Sequence, residues 1–178
     1  ISGRKTVGHL MSFSNGVKFC SKKGESFEIS LNNIEHAIYM PCDESMVNIL
    51  HFYLAEPVLV NKKLTQHIQF FTEVGYASED LLDPRRRHRN NVDEAEEERL
   101  EKRAREQYNT LFLDFVTYTE KNWQSDLKFD TPHTELGFHG SYAQNSVLIT
   151  PTHNTLAALM ESPFMVLPLE DIELVSLE

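Results

Sequence analysis

A chain of 178 residues, 40 % apolar and 25 % charged, has the size and composition of a soluble globular protein with one large or two small domains. No run of about 18 apolar residues occurs, which excludes a membrane-spanning helix. The formal net charge of −10 opposes naked nucleic acid and anionic lipid as partners and favours basic proteins, or serves only solubility.

The charge is uneven. Residues 1–92 hold 11 Lys+Arg against 10 Asp+Glu, whereas residues 93–178 hold 6 against 17. The chain begins Ile1-Ser2-Gly3-Arg4, with neither an initiator Met nor an apolar signal stretch, and reads as an excerpt of a longer protein. Cys20 and Cys42 lie inside strand-like runs. Two cysteines do not make a disulfide scaffold, so both are expected as buried free thiols in a reducing compartment.

In chain order, seven strand-like runs come first. Val7–Phe13 alternates after Gly8 and meets Val17–Cys20 across Ser14-Asn15-Gly16, a tight-turn signal because Asn-Gly tolerates positive φ. Lys22-Lys23-Gly24-Glu25 turns into Phe27–Leu31, a period-2 strand. Asn32-Asn33 breaks it. Ile34–Met40 and Met46–Leu54 flank Pro41-Cys42-Asp43-Glu44. Pro57 precedes a short strand, Val58–Val60; Asn61-Lys62-Lys63 turns, and Gln66–Val74 closes the set. Residues 75–92 read as a loop carrying Arg85, Arg86, Arg87, His88 and Arg89. The arginines suit contact with nucleic acid or an acidic partner. With no aromatic interleaved to stack on bases, a solvated loop beside an acidic helix is the favoured alternative.

A helix is expected over 93–121. Asp93 suits the N-cap, and Glu94, Glu96 and Glu97 favour the positive end of the helix dipole. Glu98–Lys102 and Glu101–Arg105 are i,i+4 pairs, each worth about 0.2–0.5 kcal/mol. The second half carries an apolar stripe of Ala104, Tyr108, Leu111, Phe115 and Tyr118, with Phe112 and Val116 beside it, expected to dock on the preceding sheet. Beyond Trp123, strands are expected at Leu127–Phe129, Leu136–Gly140, Ser146–Thr150, Phe164–Leu167 and Ile172–Leu177. Thr155–Glu161 is ambiguous between helix and strand. The pattern predicts a mostly β fold with one long helix. It divides into 1–122, closed by the helix, and 123–178, a second sheet that either continues in further chain or leans on the first.

Catalytic constellations are not found. Eight histidines are scattered, without a His-x-x-x-His pair or a Cys-x-x-Cys, so no metal site is expected and satisfied or exposed imidazoles are. No glycine-rich phosphate loop is present. Ser141 and Ser162 lack the setting of a hydrolase nucleophile. Glu170, Asp171 and Glu173 suit a cation, a basic peptide or simply a solvated strand end.

The strand set with its closing helix is the plan of a pleckstrin-homology domain. Ordered strings sharpen the likeness: Asn15-Gly16-Val17-Lys18-Phe19, Asn33-Ile34-Glu35-His36-Ala37, Pro41-Cys42-Asp43, Leu50-His51-Phe52, Gln69-Phe70-Phe71-Thr72-Glu73-Val74-Gly75, Leu136-Gly137-Phe138-His139-Gly140 and Ser162-Pro163-Phe164. From about residue 8 to 178 the chain resembles the middle domain of the large subunit of FACT, a nuclear histone chaperone. The resemblance implies a tandem pleckstrin-homology module that binds core histones without catalysis or cofactor. It implies a role in nucleosome disassembly and reassembly during transcription and replication, and a smaller FACT subunit that pairs through another domain. It also implies further strands, a closing helix and a histone-binding extension past Glu178. Where the family carries a Pro and a basic residue after Gly140, this chain has Ser141-Tyr142-Ala143-Gln144-Asn145. The Ser14-Asn15-Gly16 loop is too short and uncharged for a phosphoinositide site. A peptide- or lipid-binding signalling module and a structural spacer are the alternatives. With 1 Lys against 8 acids after Asn122, the expected histone contacts are Asp126, Asp130, Glu135, His139, Tyr142, Glu170 and Asp171.

Overall fold

Alternation and turn chemistry produce the first sheet. In the computed structural model, which describes residues 6–43, 47–60, 62–73 and 94–176, strands β1 (Gly8–Phe13), β2 (Gly16–Ser21) and β3 (Ser26–Ser30) form an antiparallel meander. Phe13 pairs with Gly16, leaving Ser14 and Asn15 as the loop. The positive φ falls on Gly16, at 150°, not on the asparagine. A Cβ on Gly16 would lie 2.1 Å from the Ile29 carbonyl oxygen. Gly16→Ala is therefore expected to destabilise the fold by about 1–3 kcal/mol through strain and displacement of β3. Gly24, at φ 87° with open space around it, would suffer the backbone strain without the clash, so Gly24→Ala should cost less than Gly16→Ala. Equal melting temperatures for Gly16→Ala and Gly24→Ala would contradict this account.

A 3-10 turn, Leu31–Asn33, leads into the second sheet, ordered β6-β5-β4-β7: β4 (Ile34–Met40), β5 (Val47–Val60), β6 (Lys63–Glu73) and β7 (Phe129–Asp130). The two strands expected at Met46–Leu54 and Val58–Val60 are one. Their pairing to β6 shifts register between Tyr53 and Val58, and Pro57 sits in that irregularity, where its missing N–H costs no ladder bond. Side chains satisfy the exposed backbone there. Asn33 Oδ1 accepts from Glu56 N at 2.8 Å and its Nδ2 donates to Glu56 O at 3.0 Å, while Gln66 Nε2 donates to Leu54 O at 3.1 Å.

Helix α1 (Glu94–Asn122) lies against β1 and β5. Its buried face differs from the expected stripe. Ala104 and Val116 are buried and Tyr108, Phe112 and Phe115 partly so, but Leu111 and Tyr118 are each 60 % exposed. Thr119 and Asn109 turn inward in their place. Asn109 grips the β4–β5 connection: its Oδ1 accepts from Cys42 N at 2.8 Å and its Nδ2 donates to Cys42 O at 2.9 Å. The same Cys42 N–H also reaches Asn48 Oδ1, at 2.9 Å. Hydrogen bonding accounts for the inward place of Asn109, whereas the buried Thr119 hydroxyl has no hydrogen-bond partner among the described residues.

Beyond the helix, Trp123 is buried and stacks on Phe129, centroids 5.4 Å apart. Strand β7 runs parallel to β4, pairing Ala37 with Phe129, so this segment completes the first core. A 3-10 turn (Thr134–Leu136) precedes the third sheet, ordered β11-β10-β9-β8: β8 (Phe138–Tyr142), β9 (Asn145–Pro151), β10 (Thr155–Ala158) and β11 (Met165–Pro168). The ambiguous run resolves as strand. The strand expected at Ile172–Leu177 is not formed: a 3-10 turn, Leu169–Asp171, is followed by irregular backbone over 172–176. Asp93, the loop 75–92 and its Arg85, Arg86, Arg87 and Arg89 lie outside the described residues.

Strands β4 and β5 are covered on both faces. Ala37, Tyr39, Leu50, Phe52 and Leu54 point into the first core, with Val17, Ile29, Ile68 and Val116. Ile38 and Tyr53 point the other way, onto Ala157 and Val166 of the third sheet and Leu159 just after β10. The third sheet therefore leans on the first unit, the second of the two outcomes expected for it. The described residues are mostly β with one long helix, as the sequence predicts.

Candidate functional site

The acidic second unit is held in place by polar side chains from both units, most of them only partly buried. Asp130 Oδ2, on β7, accepts from Thr152 Oγ1 at 3.1 Å, Asn154 N at 3.2 Å and Asn154 Nδ2 at 3.0 Å. It fixes the β9–β10 turn to the second sheet, so its carboxylate is committed to structure. On the other flank Gln69 Nε2 donates to Leu159 O at 2.9 Å. Between them Phe164 sets its edge against His51, centroids 5.4 Å apart, and meets His67 at 6.3 Å.

His51 and His67 are the residues sequence reasoning missed. They are two of the eight scattered histidines, yet they face each other across β5 and β6, Nε2 to Nδ1 at 3.1 Å. Burial, with a smaller contribution from the neighbouring His67, pushes the fully buried His51 down to about 3. Burial lowers His67 as well. Two neutral rings result, one donating to the other. The available signal was a histidine within the apolar run Ile49–Leu54, where both faces of a strand must be covered.

The other candidate residues spread over the second unit. Asp126 is exposed in the loop after α1, and Glu135 is exposed with Oε1 3.5 Å from His133 Nδ1. His139 is exposed mid-way along β8, opposite Leu148. Tyr142 is half-buried against Val147, Ile149 and Ala158. Glu170 and Asp171 are exposed on their 3-10 turn. Asp171 and Tyr142 come together at the junction of the two units, around Tyr53. That phenol is raised by burial first and then by the nearby acidic groups of Glu35 and Asp171, with Tyr142 contributing least. Asp126 and Glu135 do not join this group. The segment Ser141–Asn145 forms a two-residue hairpin, with Ala143 at φ 47° and Gln144 at φ 67°, the left-handed pair that such a turn requires.

Chemically, this surface offers carboxylates, aromatic rings and exposed apolar side chains. Among the described residues no group of three His, Cys, Asp or Glu is arranged to hold a metal ion, and no helix is long and apolar enough to cross a membrane. Cys42 is buried and free; Cys20 is free but only partly buried, against the expectation for it. Burial pushes the Cys42 thiol up, opposed by Arg105 and assisted by Asp43, which disfavours the reactive thiolate.

Residues 1–119 match the family described as FACT complex subunit SPT16 PH-like domain. Over 99 % of its length the chain is 37 % identical to the FACT complex subunit SPT16 of Zea mays and 36 % identical to that of Arabidopsis thaliana. It is 33 % identical, over 98 % of its length, to the FACT complex subunit spt-16 of Caenorhabditis elegans. The chain spans 17 % of the length of each of these relatives.

Proposed function

The chain belongs to the FACT complex subunit SPT16 PH-like domain family, and on that premise we propose that it is the middle domain of such a subunit, a non-catalytic module that binds core histones. It works within a nuclear, chromatin-associated histone chaperone that disassembles and reassembles nucleosomes during transcription and replication. The smaller subunit of the complex pairs through regions outside this chain. Residues 1–122 and 123–178 are its two pleckstrin-homology-like units, with Trp123, Leu127 and Phe129 of the second packed into the core of the first, and the second carries the histone contacts.

One observation carries the reading beyond the family likeness: acids outnumber Lys and Arg by 8 to 1 after Asn122, and Asp126, Glu135, Glu170 and Asp171 stand in solvent. His139 and Tyr142 complete the contact set. Asp130 supports it from below by holding the β9–β10 turn. A phosphoinositide site finds no support, since the β1–β2 loop is Ser14-Asn15.

Titrating the chain with each core histone pair tests the proposal. Binding is expected at moderate ionic strength and should weaken steeply once the Debye length falls below about 8 Å, near 0.15 M salt. Neutralising Asp126, Glu135, Glu170 and Asp171 together should weaken it further. Histone binding that ignores both salt and these four substitutions would remove the site. No binding to any pair would remove the function.

A further inference from the structure

We infer that the free edge of β1 takes up an added strand: an extended, uncharged protein segment with apolar side chains at alternate positions. β1 is the last strand of its sheet. Lys22 N donates to Val7 O at 3.0 Å, which sets the alternation of the ladder. Val7, His9, Met11 and Phe13 bond to β2, while Gly8, Leu10 and Ser12 direct their N–H and C=O groups away from it. Among the described residues no strand takes those groups. Helix α1 lies against β1 without burying this edge, since Gly8, Leu10 and Ser12 stay partly exposed. Gln124 N reaches Ser14 O, at 3.3 Å, only past the end of the strand. The outward face beside the edge is apolar. Val7 is 65 % exposed, Met11 37 % and Phe13 47 %. The period of two puts all three on one face with His9, while Leu10 turns into the first core.

Edge strands in folded proteins are blunted by charge, proline, a bulge or a cover. Gly8–Phe13 contains no Lys, Arg, Asp, Glu or Pro, and its pairing to β2 runs from Gly8 to Phe13 without a register shift. An added strand bonds to the three free backbone positions and lays its alternate side chains beside Val7, Met11 and Phe13. The backbone then supplies affinity and the side chains specificity. A helix cannot take this place, because its own N–H and C=O groups are already bonded. Nor does a second copy fit. A stable interface uses about 20–30 residues a side, against 6 in this strand, and each copy would bring a net charge of −10. A charged segment gains nothing from β1, which has no formal charge. The occupant is therefore extended, neutral and alternately apolar, and its site is separate from the acidic surface proposed for histones.

The probe is a capped synthetic peptide of alternating Val and Thr, about eight residues long, a usual strand length. Its N-methylated form, which keeps the side chains and loses the N–H groups, is the control. Each is titrated against the full chain by fluorescence anisotropy. The parent peptide should bind at least about tenfold more tightly than the N-methylated one. On its addition, hydrogen exchange at the Gly8, Leu10 and Ser12 amides should slow at least about fivefold, with β3 unchanged. Met11→Lys/Phe13→Lys, which puts charge on the exposed side of the edge, should abolish both effects. If the double variant melts early, Phe13→Lys alone repeats the comparison. Equal affinities for the two peptides overturn the inference, as does binding that leaves those three amides exchanging at their free rate. Dimerisation of the chain alone that the double variant removes also overturns it, because the edge then belongs to a second copy. Neutralising Asp126, Glu135, Glu170 and Asp171 separates this site from the proposed histone contacts. Peptide binding that survives those four substitutions supports the edge whatever happens to histone binding, and peptide binding lost with them overturns it.

Discussion

Replacing Phe52 with alanine is expected to lower the unfolding free energy by about 3–5 kcal/mol. Phe52 is fully buried in the first core. Its ring meets Phe70 edge-on at 6.0 Å and Phe129 at 5.7 Å, and Phe129 in turn stacks on Trp123. The substitution removes the side chain that joins the second sheet to the segment following the helix. For a chain of this size each kcal/mol corresponds to about 2–4 °C, so the melting temperature should fall by roughly 6–20 °C. The single tryptophan gives a local readout. Trp123 emission should shift to the red at temperatures where the variant is still folded, because the stack beneath it loses support. A variant that melts within about 2 °C of the parent, with unchanged emission, would mean that this aromatic column is not the first core's centre.

Much of that column was legible in the sequence and part was not. The β1–β2 and β2–β3 turns, the period-2 strand around Ile29 and the long helix follow from turn residues and hydrophobic period. The place of Phe129 does not. Its run, Leu127–Phe129, looks like the first strand of a second sheet, yet it pairs with β4 in parallel, a long-range choice that no local pattern encodes. Pro57 misled in the other direction. It breaks a strand as a rule, but here Asn33 and Gln66 hold the irregular backbone and the strand runs through it. On the helix, counting apolar residues selected Leu111 and Tyr118, while two polar residues, Asn109 and Thr119, took the buried face. Asn109 does so because a side-chain amide can satisfy both backbone groups of Cys42 at once. At the candidate site the excess of acid was readable. Which carboxylates were already engaged was not: Asp130 looks like Asp126 in the sequence, yet only Asp130 is engaged by Thr152 and Asn154.

The buried histidine pair makes a second large effect expected, in acid. His51 titrates near 6.5 when unfolded and is held down to about 3 in the folded chain, by burial first and by His67 second. Between those values the unfolded chain binds a proton that the folded chain refuses, so acid favours unfolding. The stability tied to His51 is whole above about pH 6.5 and drains away as the pH falls toward 3, at about 1.4 kcal/mol per pH unit. At pH 4.5 the loss is therefore on the order of 3 kcal/mol from this residue, and His67, lowered by its own burial, adds to it with the same sign. The pair sits under Phe164 and beside Gln69, which holds Leu159, so protonation should first loosen the docking of the third sheet on the second. Urea denaturation of the parent and of His51→Gln at pH 7.0, 5.5 and 4.5 measures this. The variant starts less stable at pH 7, having lost its hydrogen bond to His67, but its stability should fall less steeply with acid. Carboxylates elsewhere titrate alike in both proteins and cancel in the comparison. Parallel pH profiles for the two would show that His51 accepts its proton without unfolding the junction, and the neutral-pair account would then be wrong.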